Sequence, residues 1–141
     1  MTTPMFIDGS SIFELSADQI RLAKQGKVTA ANHAVTIPEV GWDEAKQQMQ
    51  ASLDWVTANP DDLILIRGLA DLDEAHASGR VGMILGPQDG DFLESDLGKL
   101  HAAYDMGLRV MQLTYQNRNC IGDGCGVADA GPLTAFGREV V

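Results

Sequence analysis

Residues able to do acid–base or ligand chemistry gather in three short segments: Asp8-Gly9-Ser10, Gly86-Pro87-Gln88-Asp89-Gly90, and Thr114-Tyr115-Gln116-Asn117-Arg118-Asn119. Asp8 is a candidate catalytic or metal-binding carboxylate, although Asp-Gly is equally a strong turn dipeptide. Gln88 and Asp89 can contact a ligand, or can form a turn shaped by Pro87 and Gly90. Tyr115 and Asn119 can hydrogen-bond a substrate, or can satisfy the backbone of their own loop. His33, His76 and His101 fall on a strand and two helices with no i,i+4 partner. That favours hydrogen-bonded or solvated roles over metal ligation. Cys120 and Cys125 offer half a zinc site, but no other Cys or nearby His completes it. The glycines around Asp123 lack P-loop spacing. No serine sits in a nucleophile-elbow pattern.

The elements that would position these groups alternate strand and helix. Met5–Asp8 reads as a strand. Ser16 opens a helix through a capping-box pattern, and Gly26 stops it. Val28–Ile37 reads as a second strand ending at Pro38. Trp42, Ala45, Met49, Leu53 and Val56 form a helical stripe ahead of Pro60. Leu63–Ile66 is a short apolar run, as in a strand covered on both faces. Asp71-Leu72-Asp73-Glu74 reads as a capping box with Gly79 as its stop, and Val81–Leu85 as a strand. Asp91-Phe92-Leu93-Glu94 caps a helix with the stripe Leu93, Leu97, Leu100 and Tyr104, ended by Gly107. Leu108–Thr114 is a fifth strand, followed by a polar, Gly-rich loop and a last helix from about Thr134.

Repeated βα units imply a parallel sheet with right-handed crossovers. Two α/β architectures fit: a complete five-stranded doubly wound sheet, or the N-terminal half of a (β/α)₈ TIM barrel, which typically needs about 250 residues. In both, function gathers at the C-terminal ends of the strands. Asp8, Gln88, Tyr115 and Asn119 are therefore expected on one rim.

Composition narrows the function classes. Hydrophobic residues are 45% of the 141 and charged residues 21%, which permits a globular core. The formal net charge of −10 excludes the basic stripe that nucleic-acid binding needs. The opening Met1-Thr2-Thr3-Pro4-Met5-Phe6-Ile7-Asp8 has neither a basic region nor an apolar core, so no signal peptide is expected. No run approaches a membrane span. Two cysteines in one loop fit reduced thiols and a cytoplasmic location.

Several segments together resemble the membrane dipeptidase (renal dipeptidase) family of zinc peptidases. The most specific is Ala103-Tyr104-Asp105-Met106-Gly107-Leu108-Arg109-Val110-Met111-Gln112-Leu113-Thr114-Tyr115-Gln116-Asn117-Arg118-Asn119, which looks like the family's "GvRy…LTHn" signature. Gly131–Val141 resembles its "gGLT-x-fG-x-evv" element. Arg80–Gly90 resembles "gkia-x-iigiEGg", and Phe6-Ile7-Asp8-Gly9 the opening "viDGHnD". The resemblance implies the first half of a (β/α)₈ barrel, with residues 1–141 a partial domain cut before closure and inactive alone. It further implies a two-zinc site that hydrolyses dipeptides or related small amides. A small peptide-like substrate and a homodimer of the full-length parent are compatible with it; nucleic acid and membrane are not expected partners.

Carried over position by position, the family's His-x-Asp ligands fall on Ser10 and Ile12, its bridging Glu on Gln88, and its substrate-binding His on Tyr115. No metal ligand is therefore expected from these residues. Tyr115 is the candidate catalytic group at the family's His position, and Gln88, Tyr115, Asn119 and Asp8 are the candidate substrate-binding residues. Gln88 and Tyr115 keep the family separation of 27 positions; a one-residue slip would instead offer Asp89. The substitutions also favour a rival class, a non-catalytic relative that binds a peptide-like molecule or pairs with an active paralogue. A complete flavodoxin-like binding domain is a third reading.

Overall fold

The computed structural model describes residues 4–12 and 14–141. The reading of the leading Met1–Thr3 lies outside them. Among the described residues, four strands and five α-helices follow in order: β1 (Ile7–Ser11), α1 (Ala17–Gln25), β2 (Ala30–His33), α2 (Trp42–Ala58), β3 (Leu63–Leu65), α3 (Leu69–Ser78), β4 (Val81–Leu85), α4 (Leu97–Met106) and α5 (Ala135–Val140). The strands form one parallel sheet in the order β1-β2-β4-β3.

The helix signals work through specific atoms. Ser16 Oγ accepts from the Gln19 N–H at 3.3 Å, satisfying one of the orphan donors of the α1 N-terminus. Thr134 does the same for Gly137 in α5. Gly79 ends α3 with φ 73°, a left-handed conformation that favours glycine. Two helix starts differ from the sequence reading. Helix α3 begins earlier, at Leu69, and Asp71 sits one turn inside it. From there its carboxylate reaches back to the N–H groups of Arg67 and Gly68. Asp91–Leu93 is only a short 3₁₀ turn. Glu94 and Ser95 adopt positive φ and break the path, so α4 starts at Leu97 with Asp96 capping Gly98. Tyr104, placed on the α4 core stripe, is 54% exposed and lies under the Arg109 guanidinium.

Strand boundaries also moved. Strand β1 runs from Ile7, so Asp8 lies inside it rather than after it, and β2 is shorter than the apolar run that contains it. The expected strand Leu108–Thr114 forms no regular strand. Leu108 makes a single parallel bridge to Leu85, and the N–H groups of Arg109 and Val110 both point at the Leu85 carbonyl. Its would-be place beside β4 is shared. Strand β3 occupies the lower edge of β4, pairing with Val81–Met83, and leaves only the upper end to Leu108.

The two faces of the sheet differ. Side chains alternate along strands, and Met83 and Leu85 face α2, the 3₁₀ turn and α4. There they bury against Met49, Phe92, Leu93 and Ala103. The opposite face carries Ala30, Ile64 and Ile84, and α3 covers it through Ala75 and Leu72. Above α3 this inner face is open. Met5, Phe6 and Ile7 on the β1 side, and Val110 on the far side, remain exposed. None of the described helices is long and apolar enough to cross a membrane.

Candidate functional site

Register explains how the rim is built. Asp8 pairs with Ala31 and Ser11 with His33, so two residues of β1, Gly9 and Ser10, oppose the single residue Asn32. That is a β-bulge, a device that re-aims side chains and is common beside active sites. The Asn32 side chain repairs the interrupted ladder: its Nδ2 donates to the Gly9 carbonyl at 3.0 Å. A carbonyl only accepts, so the amide group must turn its NH₂ toward Gly9 and its Oδ1 away. Oδ1 then lies against Gly86, where it is buried without a partner. A Cβ at Gly86 would stand 1.8 Å from it, so the close approach requires glycine.

Beyond β4 the chain runs beside residues 108–114. Gln112 N–H donates to the Pro87 carbonyl at 3.2 Å, and Gly90 N–H to the Leu113 carbonyl at 3.2 Å. Between these segments and the bulge lies a cavity of about 230 Å³, lined by Gly9, Ser10, Asn32, Gln88, Met111 and Gln112 among others. No ionisable side chain lines it. The Gln112 amide is directed at the Thr114 carbonyl. Among the described residues the Gln88 carboxamide and the Ser10 hydroxyl make no hydrogen bond.

The sequence-derived candidates separate on this geometry. Gln88 and Ser10 line the cavity. Tyr115 follows residues 108–114 at the same end of the sheet but outside the cavity wall, 37% exposed, with its carbonyl accepting from Cys125 N–H. Asn119 is committed to its loop: its Nδ2 donates to the Leu113 carbonyl, and its Oδ1 accepts from Ile121 and Gly122. Asp8 accepts from Ser10 N–H at 3.1 Å and does not reach the cavity, because its register partner Ala31 is on the α1 side. Ile12 is 75% exposed. Asn32 is not among the sequence-derived candidates. A polar Asn inside the apolar Val28–Ile37 run was the available signal, since Asn is depleted in strands.

Asp89 is not an alternative to Gln88. It is 2% exposed, and its two carboxylate oxygens accept from Glu39 N–H (2.8 Å) and Asp91 N–H (3.2 Å). Burial pushes its pKa up, and the two N–H donors oppose that shift. It staples the turn after β4 to the segment before α2. His33 faces the helical layer, beside Leu15, Ile20 and Trp55. Burial lowers its pKa, opposed by the Ser11 backbone, so the imidazole is neutral at pH 7. Cys120 Sγ approaches the Gly90 carbonyl at 3.5 Å, and both cysteines are free thiols. Gly124 packs against the carbonyls of Tyr115 and Asn117 so closely that a Cβ would clash; the glycines compact the loop. Asp123 closes it through Arg118 and the Gly131 N–H, and the Arg118 guanidinium holds its carboxyl below the usual range.

A parallel sheet with α2 and α4 on one face, α3 filling the lower part of the other, and a cavity at the C-terminal strand ends fits a partial (β/α)₈ barrel of the amidohydrolase type. The model of the membrane dipeptidase family, peptidase family M19, matches residues 9–141, and the chain belongs to that family. It is similar to an amidohydrolase from Pseudomonas aeruginosa, with TM-score 0.92 and 29% identity over 96% of this chain and 41% of that one. It also superposes on a dipeptidase of family M19 with TM-score 0.80 and 20% identity, over 100% of this chain and 53% of that one. A third match is a metallopeptidase from Rhodobacter sphaeroides liganded with a phosphinate mimic of the dipeptide L-Ala-D-Ala. Its TM-score is 0.81 and identity 18%, over 96% of this chain and 54% of that one. The chain thus spans about half, or less, of the structures it matches.

The family is one of metallopeptidases, yet the residues present here do not fit a two-metal centre. Ser10 and Gln88 offer only neutral oxygens, weak partners beside a carboxylate or imidazole. Ile12 offers none. Among the described residues no group of three or more His, Cys, Asp or Glu side chains is placed to hold a metal ion.

Proposed function

We propose that the full-length protein hydrolyses dipeptides or related small amides, and that this chain supplies one wall of the pocket that holds them. The observation that carries the reading is a coincidence of position. Ser10 and Gln88, which fall on the family's ligand positions, both line the rim cavity between β1, β2 and β4. This wall contributes hydrogen bonding and the exclusion of water by Gly86, Pro87 and Met111. Tyr115, at the family's imidazole position, offers a phenol that can donate a hydrogen bond. Zinc is the cofactor of the family, but this wall holds no ligand set that fits it.

Alone, the 141 residues are proposed to be inactive and prone to aggregate, since the exposed Met5, Phe6 and Ile7 flank an unpaired strand edge. A cytoplasmic location and a homodimeric parent belong to the same proposal.

The replacement of the ligand residues specifically favours a second reading, a non-catalytic relative that binds a peptide-like molecule or pairs with an active paralogue. Incubation of the purified full-length protein with a panel of dipeptides, followed by quantitation of released amino groups, separates the two. Turnover abolished by disrupting the rim cavity establishes the hydrolase. Retained binding without turnover of any dipeptide establishes the second reading.

A further inference from the structure

We propose that the rim cavity is a metal-independent subsite for an uncharged amide, in which the Gln88 carboxamide pairs with the amide group of the ligand. The inference rests on the reading that this rim faces the ligand, and it adds the chemical class that this wall recognises.

Three observations carry it. First, no ionisable side chain lines the cavity, in a chain with 20 acidic and 10 basic residues. A wall meant to meet a carboxylate, an ammonium group or a cation would need an opposite charge or a set of anionic ligands; an uncharged wall favours an uncharged group. Second, the Gln88 side chain has no hydrogen-bond partner among the described residues, while its neighbour Asp89 has both oxygens engaged by backbone N–H groups. The turn is therefore fixed by Asp89, and Gln88 is left with one acceptor and two donors to offer. An amide presents the complementary pair, one N–H and one C=O, so two hydrogen bonds can form side by side. Third, the opposite wall is held in shape for a polar purpose. Asn32 ties the Gly9–Ser10 bulge through Nδ2 and leaves its own Oδ1 buried without a partner. An apolar residue at position 32 would fill the strand without that orphan acceptor. Buried polar groups left unsatisfied are rare and point to function. Asn32 is a positioning residue: it sets the bulge that places the Ser10 hydroxyl across the cavity from Gln88.

The rival account of Gln88 is a decayed metal bridge, and one substitution gives opposite results under the two. Binding of N-acetyl-L-alaninamide to the full-length protein would be measured by calorimetric titration with and without EDTA, for the wild type, Gln88→Glu and Gln88→Met. Zinc content would be measured on the same samples. The expected result is wild-type binding unchanged by EDTA, weakened about 3- to 10-fold in Gln88→Met. Gln88→Glu should weaken it about tenfold or more, with no gain in bound zinc. Gln88→Met is near-isosteric and uncharged, which guards against loss of folding as the cause. Absent wild-type binding, binding lost in EDTA, affinity unchanged in Gln88→Met, or zinc acquired by Gln88→Glu would each overturn the proposal. The dipeptide turnover assay reads the parent reading separately. Turnover with Gln88-independent amide binding defeats only the subsite, and Gln88-dependent binding without turnover defeats only the hydrolase.

Discussion

The outer and inner faces of the same four-stranded sheet are made differently. On the outer face, Met83 and Leu85 press against Met49, Phe92, Leu93 and Ala103, all at 6% exposure or less. On the inner face Ile64, Ile66 and Ile84 pack against α3, and the remaining positions are small or polar: Ala30, Asn32, Gly82 and Gly86. Near the strand starts, α3 fills the space; toward the strand ends the space stays open as the cavity. The outer face carries the stability, and the inner face trades packing for room and hydrogen-bonding groups. Substitutions on the two faces should therefore register in different measurements.

The largest effect is expected at Phe92, which is fully buried and stacked on Trp42 at 6.3 Å between ring centroids. Phe92→Ala should lower the unfolding free energy of the full-length protein by about 3–5 kcal/mol. A loss under 1 kcal/mol in chemical denaturation would mean that the outer face is not the stabilising one.

Next comes Gly86→Ala. Its Cβ would collide with Asn32 Oδ1, so either Asn32 or the β4 end must shift, at a cost of about 1–3 kcal/mol. The same change should reduce amide binding in the cavity. Wild-type stability together with wild-type binding would refute the role of the Gly86–Asn32 contact.

His33 on the outer face gives a smaller effect, visible only in acid. Its folded-state pKa is lowered from 6.5 by burial. Below pH 6.5 the unfolded chain takes up a proton that the folded protein resists, so stability falls with falling pH down to the lowered pKa and is fully present above 6.5. His33→Gln should flatten that limb of the stability–pH curve; an unchanged limb would assign it to other groups.

The smallest effect on stability belongs to Gln88. Gln88→Met should leave the unfolding free energy within about 0.5 kcal/mol, because the side chain makes no hydrogen bond among the described residues and Met is near-isosteric, while its effect shows in ligand binding. A large destabilisation would convert Gln88 from a ligand-facing group into a structural one.

How far the sequence reveals all this depends on whether a feature is local. The strand Val81–Leu85, the Ser16 and Thr134 caps and the Gly79 stop follow from short-range chemistry, and the structure places them where that chemistry put them. The α4 start was misread because Asp91 and Asp96 both carry capping chemistry, and only the positive φ of Glu94 and Ser95 decides between them. Leu108–Thr114 alternates like a strand, but a strand is made by its neighbours, and β3 already holds part of that edge. At the rim, spacing favoured Gln88 over Asp89; the backbone donors that engage both Asp89 oxygens, and the place of Gln88 on the cavity wall, were not legible in the sequence. Asn32 was hidden because its role comes from a bulge in β1, twenty-odd residues away along the chain.

The interposition of β4 between β2 and β3 has a temporal side. Ala30 finds its partner in Gly82, so the second edge of β2 has nothing to pair with until about fifty more residues have been made. At synthesis rates of about 5–20 residues per second, that edge waits on the order of 3–10 s on the ribosome. During that interval the β1–β2 pair, with its exposed Phe6 and Ile7, is a two-stranded ribbon of marginal stability. The nascent chain is thus most vulnerable after β2 emerges and before β4 does, and slowing translation between these two strands should cost soluble yield more than slowing it after Leu85.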